Sequence, residues 1–460
     1  MTHTFDRTIL REYDIRGIVG KTLNEADAYA LGRTFAALAT DEGATRLAVG
    51  RDGRTHSPIL QAELIRGLIE GGINVDNIGV GPSPMLYYAV STLSVQGGIQ
   101  VTGSHNPSDY NGFKMLLNGR SVFGDEIQKI GRRAADGDWT DGLGHVDQVD
   151  ILDSYVDRLV QGFQGGSFRI GWDAGNGAGG PTLEKLIQKL PGEHFTIHTE
   201  VDGRFPNHHP DPTVEANLAD LKALVAAKNL DFGIAFDGDA DRIGAVDGKG
   251  RVVWGDQLLM ILAEPVLKEQ PGATIIADVK ASQILFDHVA SIGGTPLMWK
   301  TGHSLIKSKM KETGAPLAGE MSGHIFFKHR WYGFDDALYA AVRLIEAIAQ
   351  SGRSLTEIMD AMPKSIVTPE MRFPVDESRK FAVVSEVLQR VSANGSEVNS
   401  TDGARVKTDD GWWLLRASNT QDVLVARAEA RDQEGLDRLL AQIDDQLAQS
   451  GVERTEGDGH

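Results

Sequence analysis

Two hydrophobic rhythms alternate along the first third of the chain. NEADAYALGRTFAALA (from Asn24) and ILQAELIRGLIEGG (from Ile59) repeat apolar residues every three or four positions, the period of a helix with one buried face. Between and after them, RLAVG, NVDNIGVG and Gly98–Val101 are short apolar runs bounded by Gly, Asp and Pro, which predict buried strands. This alternation predicts α/β units on a mainly parallel sheet, with ligands bound at the carboxyl ends of its strands. REYDIRGIVG, ending at Gly20, reads as a strand-like piece that turns at Arg16 and Gly17.

The polar, Gly- and Asp-rich segment Ala134–Asp150 marks a boundary, after which SFRIGWDAGNGAGG opens a fresh unit. The apolar strand Phe232–Phe236 follows, then ATIIADV and the short lead APLA of a third unit beginning near Asp256. FKHRWYGFDDALYAAVRLIEAIAQ reads as a turn entering a long helix. Beyond the boundary at Met362–Pro374 the order changes to strand, helix, hairpin, helix. ARVK and WWLLRA flank the turn TDDG, and QEGLDRLLAQIDDQLAQ is a final amphipathic helix, together a smaller α+β domain.

Length alone, 460 residues, allows about three domains of roughly 150 residues each. A formal charge of −18 argues against a nucleic-acid partner, which demands a basic face, so an anionic substrate must be met by local Arg, Lys and His. The absence of cysteine excludes disulfides, thiolate zinc sites and cysteine nucleophiles, and is compatible with a reducing compartment. Neither a secretory leader in MTHTFDRTILREYDIRG nor a membrane-spanning apolar run is expected, so the cytoplasm is the default location.

Four loops carry chemistry. In TGSHNP, after Gly98–Val101, Ser104 stands at a strand end with Gly103, His105 and Lys114 near an anion, a setting for a phosphoserine or for an ordinary polar turn. In DGDADR, Asp237, Asp239 and Asp241 alternate with small residues and precede Arg242. Three such carboxylates can converge on a hard divalent cation and would repel one another without it. An EF-hand fails here, because Arg242 and Gly248 stand where that loop needs glycine and glutamate. GEMSGH offers Glu320, Ser322 and His324, suited to sugar hydroxyls. RASNTQD offers Arg416, Ser418, Asn419 and Thr420, suited to a phosphate; taken singly, either is equally a polar loop. Gly175, Gly177 and Gly180 satisfy G-x-G-x-x-G, so a dinucleotide site competes with a tight turn before a packed helix.

The loops TGSHNP, DGDADR, GEMSGH and RASNT, in that order at domain-sized spacing and preceded by YDIRG at Tyr13, resemble the α-D-phosphohexomutase family, most closely its bacterial phosphomannomutase/phosphoglucomutase members. The resemblance covers essentially the whole chain. It implies three similar α/β domains with mixed sheets around a central cleft, plus a C-terminal α+β domain that swings on the cleft, one domain more than length suggested. The implied domains are 1–150 with the phosphoserine loop, 151–252 with the metal loop, 253–365 with the sugar loop and 366–460 with the phosphate loop. By match, Ser104 is the phosphoserine and, with Asp237, Asp239 and Asp241, a ligand of Mg²⁺. Arg16, Lys114, Arg242 and His324 match catalytic positions of the cleft. Lys280, His303, Glu320, Ser322, Arg416, Ser418, Asn419 and Thr420 match substrate-binding positions.

The implied activity interconverts mannose or glucose 1-phosphate and 6-phosphate through a bisphosphorylated hexose, both intermediate and activator. The general acid/base is left open between His324 and Lys114. A hexose phosphate is the implied partner, with no nucleic acid or membrane, and the implied state is a monomer or weak homodimer. Phosphoglucosamine mutase is the alternative within the family, with Met321 favouring the mannose/glucose members. Outside it stand an NAD(P)-dependent oxidoreductase and a non-catalytic sugar-phosphate- or metal-binding module.

Overall fold

The computed structural model describes residues 2–419 and 421–452. These carry four sheets in chain order, so the estimate of three domains from length is one short. Each of the first three units keeps an apolar cluster of its own, and one continuous core joins all three.

The first sheet is mixed. Gly97–Val101 runs parallel to Arg46–Arg51, which runs parallel to Asn74–Val80, and Val146–Gln148 adds a further parallel edge strand. Tyr110–Leu117 returns antiparallel to Gly97–Val101 because the Ser104 loop joins them directly, without the helical crossover that a parallel return needs. Arg16 and Gly17 do not form a turn: they lie inside the strand Ile15–Ile18, where Arg16 pairs with Gly112. A Cβ at Gly112 would lie 2.1 Å from Ile15 O, so the glycine lets the two backbones approach.

The second sheet places Phe232–Phe236, buried throughout, parallel to Phe168–Asp173 and antiparallel to Ile243–Asp247. The third places Thr274–Asp278 between Thr295–Trp299 and Leu317–Gly319. The fourth is antiparallel, with Gly411–Ala417 between Ala404–Lys407 and Val423–Ala430, and it packs under the helices Glu377–Ala393 and Gln433–Gln449 around its own core.

The apolar core shared by the first three units runs from Met85 and Tyr87 through Trp172 and Phe236 to Leu338. The last unit meets the third through a small apolar contact of Val279, Trp412 and Leu414, surrounded by polar bonds. Arg405 donates to the carbonyls of Val279 (2.7 Å) and Ala281 (2.8 Å), and Ser282 donates to Glu429 (2.7 Å). An interface this polar costs little to part, whereas separating the first three units would expose their common core. Among the described residues no helix is long and apolar enough to cross a membrane.

Candidate active site

Ser104 occupies the loop between Gly97–Val101 and Tyr110–Leu117 with a left-handed φ of 47°, an uncommon and costly conformation for a non-glycine residue. The surroundings hold it there. Thr102 Oγ1 accepts from its amide (2.8 Å), and the buried Arg54 guanidinium donates to its carbonyl (2.7 Å) and to that of Asn106 (2.6 Å). Ser104 Oγ is buried and donates to Asp237 Oδ2 at 3.0 Å, with His105 Nδ1 at 3.2 Å. Burial, reinforced by Arg242, pushes His105 well below the ordinary histidine range, so it is neutral.

The acidic loop approaches this serine closely. A Cβ at Gly238 would lie 2.5 Å from Ser104 O, and one at Gly177 would lie 2.7 Å from Gly238 O. Gly177 is therefore small so that its loop can lie beneath the acidic loop, where Ala178 donates to the Gly238 carbonyl (2.9 Å). Close packing explains this member of the G-x-G-x-x-G pattern without a dinucleotide.

Asp237, Asp239 and Asp241 are fully buried, with one oxygen of each within 4.8 Å of the others. Asp237 Oδ1 accepts from the amides of Asp241 (3.0 Å) and Arg242 (3.1 Å). Lys114 reaches Asp239 at 2.7 Å and also pairs with Asp241. Burial and the two neighbouring carboxylates push Asp237 well above the ordinary carboxylate range. Burial acts on Asp239 in the same direction, but the Lys114 ammonium overrides it and holds that carboxyl far below. Burial would neutralise Lys114, yet Asp239 and Asp241 hold it well above its ordinary value, so it is an ammonium. Asp239 Oδ1 and Asp241 Oδ1 are buried without a protein partner. Hard oxygen donors, two of them unspent, with more negative charge than Lys114 alone can balance, fit a divalent cation of the Mg²⁺ class.

Arg242 and His324 join the second and third units through an isolated β-bridge. Arg242 Nε donates to His324 Nε2 (3.0 Å), while His324 Nδ1 lies 3.1 Å from Asp335 Oδ2 and 3.6 Å from Asp241 Oδ1. Nε2 is therefore engaged, while Nδ1 faces the two carboxylates without a well-formed hydrogen bond. Burial would raise Asp335, but Lys307 at 3.2 Å and His324 hold it well below its ordinary value. His303 stacks on His324, and burial with Lys307 nearby pushes it well below the ordinary range. Arg16 donates to Gly103 O (3.1 Å) and Asn106 Oδ1 (2.6 Å), bracing the Ser104 loop.

Glu320 is oriented by the Gly302 amide (2.6 Å) and Ser322 Oγ (3.1 Å). Burial with Glu320 nearby, opposed by Lys280, pushes Asp278 up to about 6; it receives Thr301 Oγ1 (3.0 Å) and the Met321 amide (3.2 Å). Arg416 Nε donates to Asp402 (2.9 Å), which also accepts from the Thr301 amide (3.1 Å). Asn419 donates to Tyr13 OH (2.6 Å), which donates onward to Thr301 O (2.8 Å). Ser418 Oγ accepts from the Gln421 amide (3.1 Å), and Thr420 lies outside the described residues. Lys280 pairs with Glu370 across the third and fourth units (3.0 Å), and this ammonium holds Glu370 down at about 2.

The sequence-designated residues thus form linked contact groups: Ser104, Lys114, Asp237, Asp239, Asp241, Arg242 and His324 meet one another, Arg16 braces the serine loop, Glu320 meets Ser322, Arg416 and Asn419 reach Asp402 and Tyr13, and Lys280 meets Glu370, with His303 touching both His324 and Tyr13. Sequence reasoning passed over Arg54, Ser83, Asp335, Tyr13 and Asp402. Ser83 donates to Asp239 (2.5 Å) across the first two units. The doubled aspartate of FDDALY was the one available signal for Asp335: Asp336 caps the helix Ala337–Ser351 through the Tyr339 amide, which leaves its neighbour for another task.

Models of the phosphoglucomutase/phosphomannomutase family match along the chain: α/β/α domain I over residues 7–141, domain II over 153–250, domain III over 254–366 and the C-terminal domain over 370–446. A phosphomannomutase/phosphoglucomutase of Pseudomonas aeruginosa is 46% identical over 446 residues, 96% of each chain. A phosphoglucomutase of Neisseria gonorrhoeae is 45% identical over 443 residues, 94% of this chain and 95% of its own. A solved phosphoglucomutase/phosphomannomutase family protein from Burkholderia thailandensis superposes with a TM-score of 0.93 at 42% identity, covering 97% of this chain and 98% of its own.

Proposed function

The chain belongs to the phosphoglucomutase/phosphomannomutase family, and from that premise we propose that it interconverts mannose and glucose 1-phosphates with their 6-phosphates, with Ser104 as the phosphoryl carrier. The observation that carries this reading is Ser104 Oγ, held by a left-handed backbone 3.0 Å from Asp237 Oδ2, among the only partly neutralised carboxylates of Asp237, Asp239 and Asp241.

In the forward half-reaction the P–Oγ bond of phospho-Ser104 breaks and a P–O bond forms to the free hydroxyl of a hexose monophosphate. The proton lost by that hydroxyl ends, in net balance, on the departing Ser104 Oγ, which is left donating to Asp237 Oδ2. The resulting bisphosphate turns end for end in the cleft and returns its other phosphate to Ser104. Mg²⁺ held by Asp237, Asp239 and Asp241, with phospho-Ser104, would neutralise charge on the transferring group.

Lys114, held as an ammonium by Asp239 and Asp241, balances negative charge on the transferring group and takes no proton, while His324 Nε2 accepts from Arg242 Nε. His324 thereby aims Arg242, and Arg16 braces the serine loop. Glu320 and Ser322 receive sugar hydroxyls. Arg416, Ser418 and Asn419, with Thr420, receive the non-reacting phosphate in either pose; Asp402 takes Arg416 Nε, and the terminal nitrogens are the pair that matches a phosphate. The substrate partner is therefore a hexose phosphate, and the cytoplasm is the proposed location.

The test is a coupled assay supplying mannose, glucose and glucosamine 1-phosphates in parallel with Mg²⁺ and a trace of hexose bisphosphate. The expected result is turnover of the first two, abolished in Ser104→Ala. Preference for the glucosamine compound would reassign the substrate, and full turnover in Ser104→Ala would refute the carrier.

A further inference from the structure

Another cluster of metal-ligating side chains lies at the carboxyl edge of the second sheet, apart from the Asp237 carboxylates. Asp173 ends the strand Phe168–Asp173 and pairs with Ile197, the last residue of the parallel strand Gly192–Ile197. His198 follows immediately, in a left-handed conformation with φ 53°, and His208 comes from the long loop beyond. One ligand atom from each of Asp173, His198 and His208 lies within 4.8 Å of the others. The two rings meet edge to face at 5.3 Å. Asp173 is fully buried, whereas the histidine side chains are 16% and 15% exposed, and Asp220, at 2.9 Å from His198 Nε2, is 55% exposed.

His208 contains the decisive detail. Its Nδ1 lies 2.9 Å from the carbonyl oxygen of His209 and its Nε2 lies 2.9 Å from Asp173 Oδ2. Both neighbours are acceptors, and a neutral imidazole has one N–H and one lone pair. With the N–H spent on the carbonyl, the Nε2 lone pair faces a buried carboxylate, a contact that needs a proton or a metal ion between the two. A histidine whose far nitrogen donates to a backbone carbonyl is the arrangement that fixes Nε2 as a ligand. Asp173 is likewise held by its outer shell, since its Oδ1 accepts from the Gly175 amide (2.8 Å).

We propose that Asp173, His198 and His208, with Asp220 at the solvent side, form a second divalent-metal site, of the Zn²⁺ class, separate from the carboxylate cluster around Asp237. Two imidazoles with carboxylates favour Zn²⁺, Co²⁺ or Ni²⁺ over Mg²⁺, which takes oxygen ligands. Bonds of about 2.0–2.1 Å bring tetrahedral ligand atoms to roughly 3.3 Å from one another, so closing the cluster needs side-chain shifts on the order of 1 Å. The bound ion locks the turn after Asp173, which carries Ala178 and its bond to Gly238 beneath the Asp237 loop. Its role is structural, and the inference is independent of the reaction assigned to the chain.

The experiment uses the full chain, stripped by chelation and returned to excess Mg²⁺ so that the oxygen-only cluster is filled. Co²⁺ is then titrated in as a visible-absorption probe, followed by Zn²⁺. The expected result is one equivalent of Co²⁺ with the strong absorption of a tetrahedral site, displaced by Zn²⁺. In His198→Asn, which tolerates the left-handed backbone, and in His208→Gln, affinity falls by at least about 10–100-fold. Imidazole ¹⁵N resonances of wild-type His198 and His208, shifted by Zn²⁺, give the same answer if a variant fails to fold. No stoichiometric uptake in the wild type, equal uptake in both variants, or loss of uptake in Asp239→Asn or His324→Asn but not in His198→Asn overturns the proposal.

Discussion

Asp237→Asn is predicted to stabilise the metal-free, unphosphorylated protein while abolishing its activity. The substitution preserves every hydrogen bond at the position: an amide carbonyl in place of Oδ1 keeps the amides of Asp241 and Arg242, and the NH₂ group donates to Ser104 Oγ, which accepts as readily as it donates. What disappears is one buried negative charge. Two unit charges 4.8 Å apart repel by about 3.5 kcal/mol at an effective dielectric of about 20, and Asp237 has two such neighbours. Lys114 and Arg242 already offset much of this, so the net gain is set at about 1–2 kcal/mol. In a cooperative unit of 150–250 residues that is a rise of roughly 2–8 °C in Tm.

The gain depends on pH in a fixed direction. Burial and the other two aspartates raise the folded-state pKa of Asp237 above its ordinary 3.8, so the wild type is penalised progressively as pH rises above that value. The variant escapes the penalty, and its advantage vanishes in acid. Calorimetry in chelator, then in saturating Mg²⁺, is the assay. Mg²⁺ at about 100 times its Kd adds about 2.7 kcal/mol to the wild type, reversing the order. An Asp237→Asn protein that melts below wild type in chelator at neutral pH would refute the claim that these carboxylates repel one another without a cation.

Arg416→Ala is expected to raise KM about 10–100-fold in both directions of the reaction, through loss of charge-assisted bonds worth about 1.5–3 kcal/mol; a loss confined to one direction contradicts a shared phosphate anchor. Lys114→Met is expected to lower kcat about 10²–10³-fold through loss of a buried positive charge, with the shape of the pH profile intact because Lys114 stays an ammonium throughout. A limb lost from the profile would show that this lysine titrates during turnover. Asp278, pushed up to about 6, costs stability that grows as pH rises from about 4 to 6, on the order of 3 kcal/mol in full. Asp278→Asn should flatten that fall in a pH series of thermal melts, and an unchanged slope would show the carboxyl to be better solvated than its burial implies.

Local elements, and the chemistry each loop carries, are readable from consecutive residues alone. Phe232–Phe236 and Gln433–Gln449 coincide with the apolar run and the amphipathic repeat that predicted them, because a strand or helix is written in the spacing of its own residues. Ser104, the Asp237–Asp241 triplet and the Glu320–Ser322 pair were legible for the same reason, each motif being contained in a few consecutive positions. Arg16 was misplaced in a turn because the strand partner that straightens it, Tyr110–Leu117, lies almost a hundred residues away.

Which loop faces which is settled by packing over long chain separations. Lys114 meets Asp239 and Asp241 across 125 and 127 residues, and Asn419 meets Tyr13 across 406, separations that leave no periodic trace in the chain. Packing also divided identical neighbours: Asp335 goes to His324 and Lys307, while Asp336 caps a helix and receives the Tyr155 hydroxyl (2.8 Å). Side-chain chemistry is a property of the residue, but burial, charge balance and pKa belong to the neighbours that packing brings together. A core shared by three sheets brings those neighbours from distant parts of the chain.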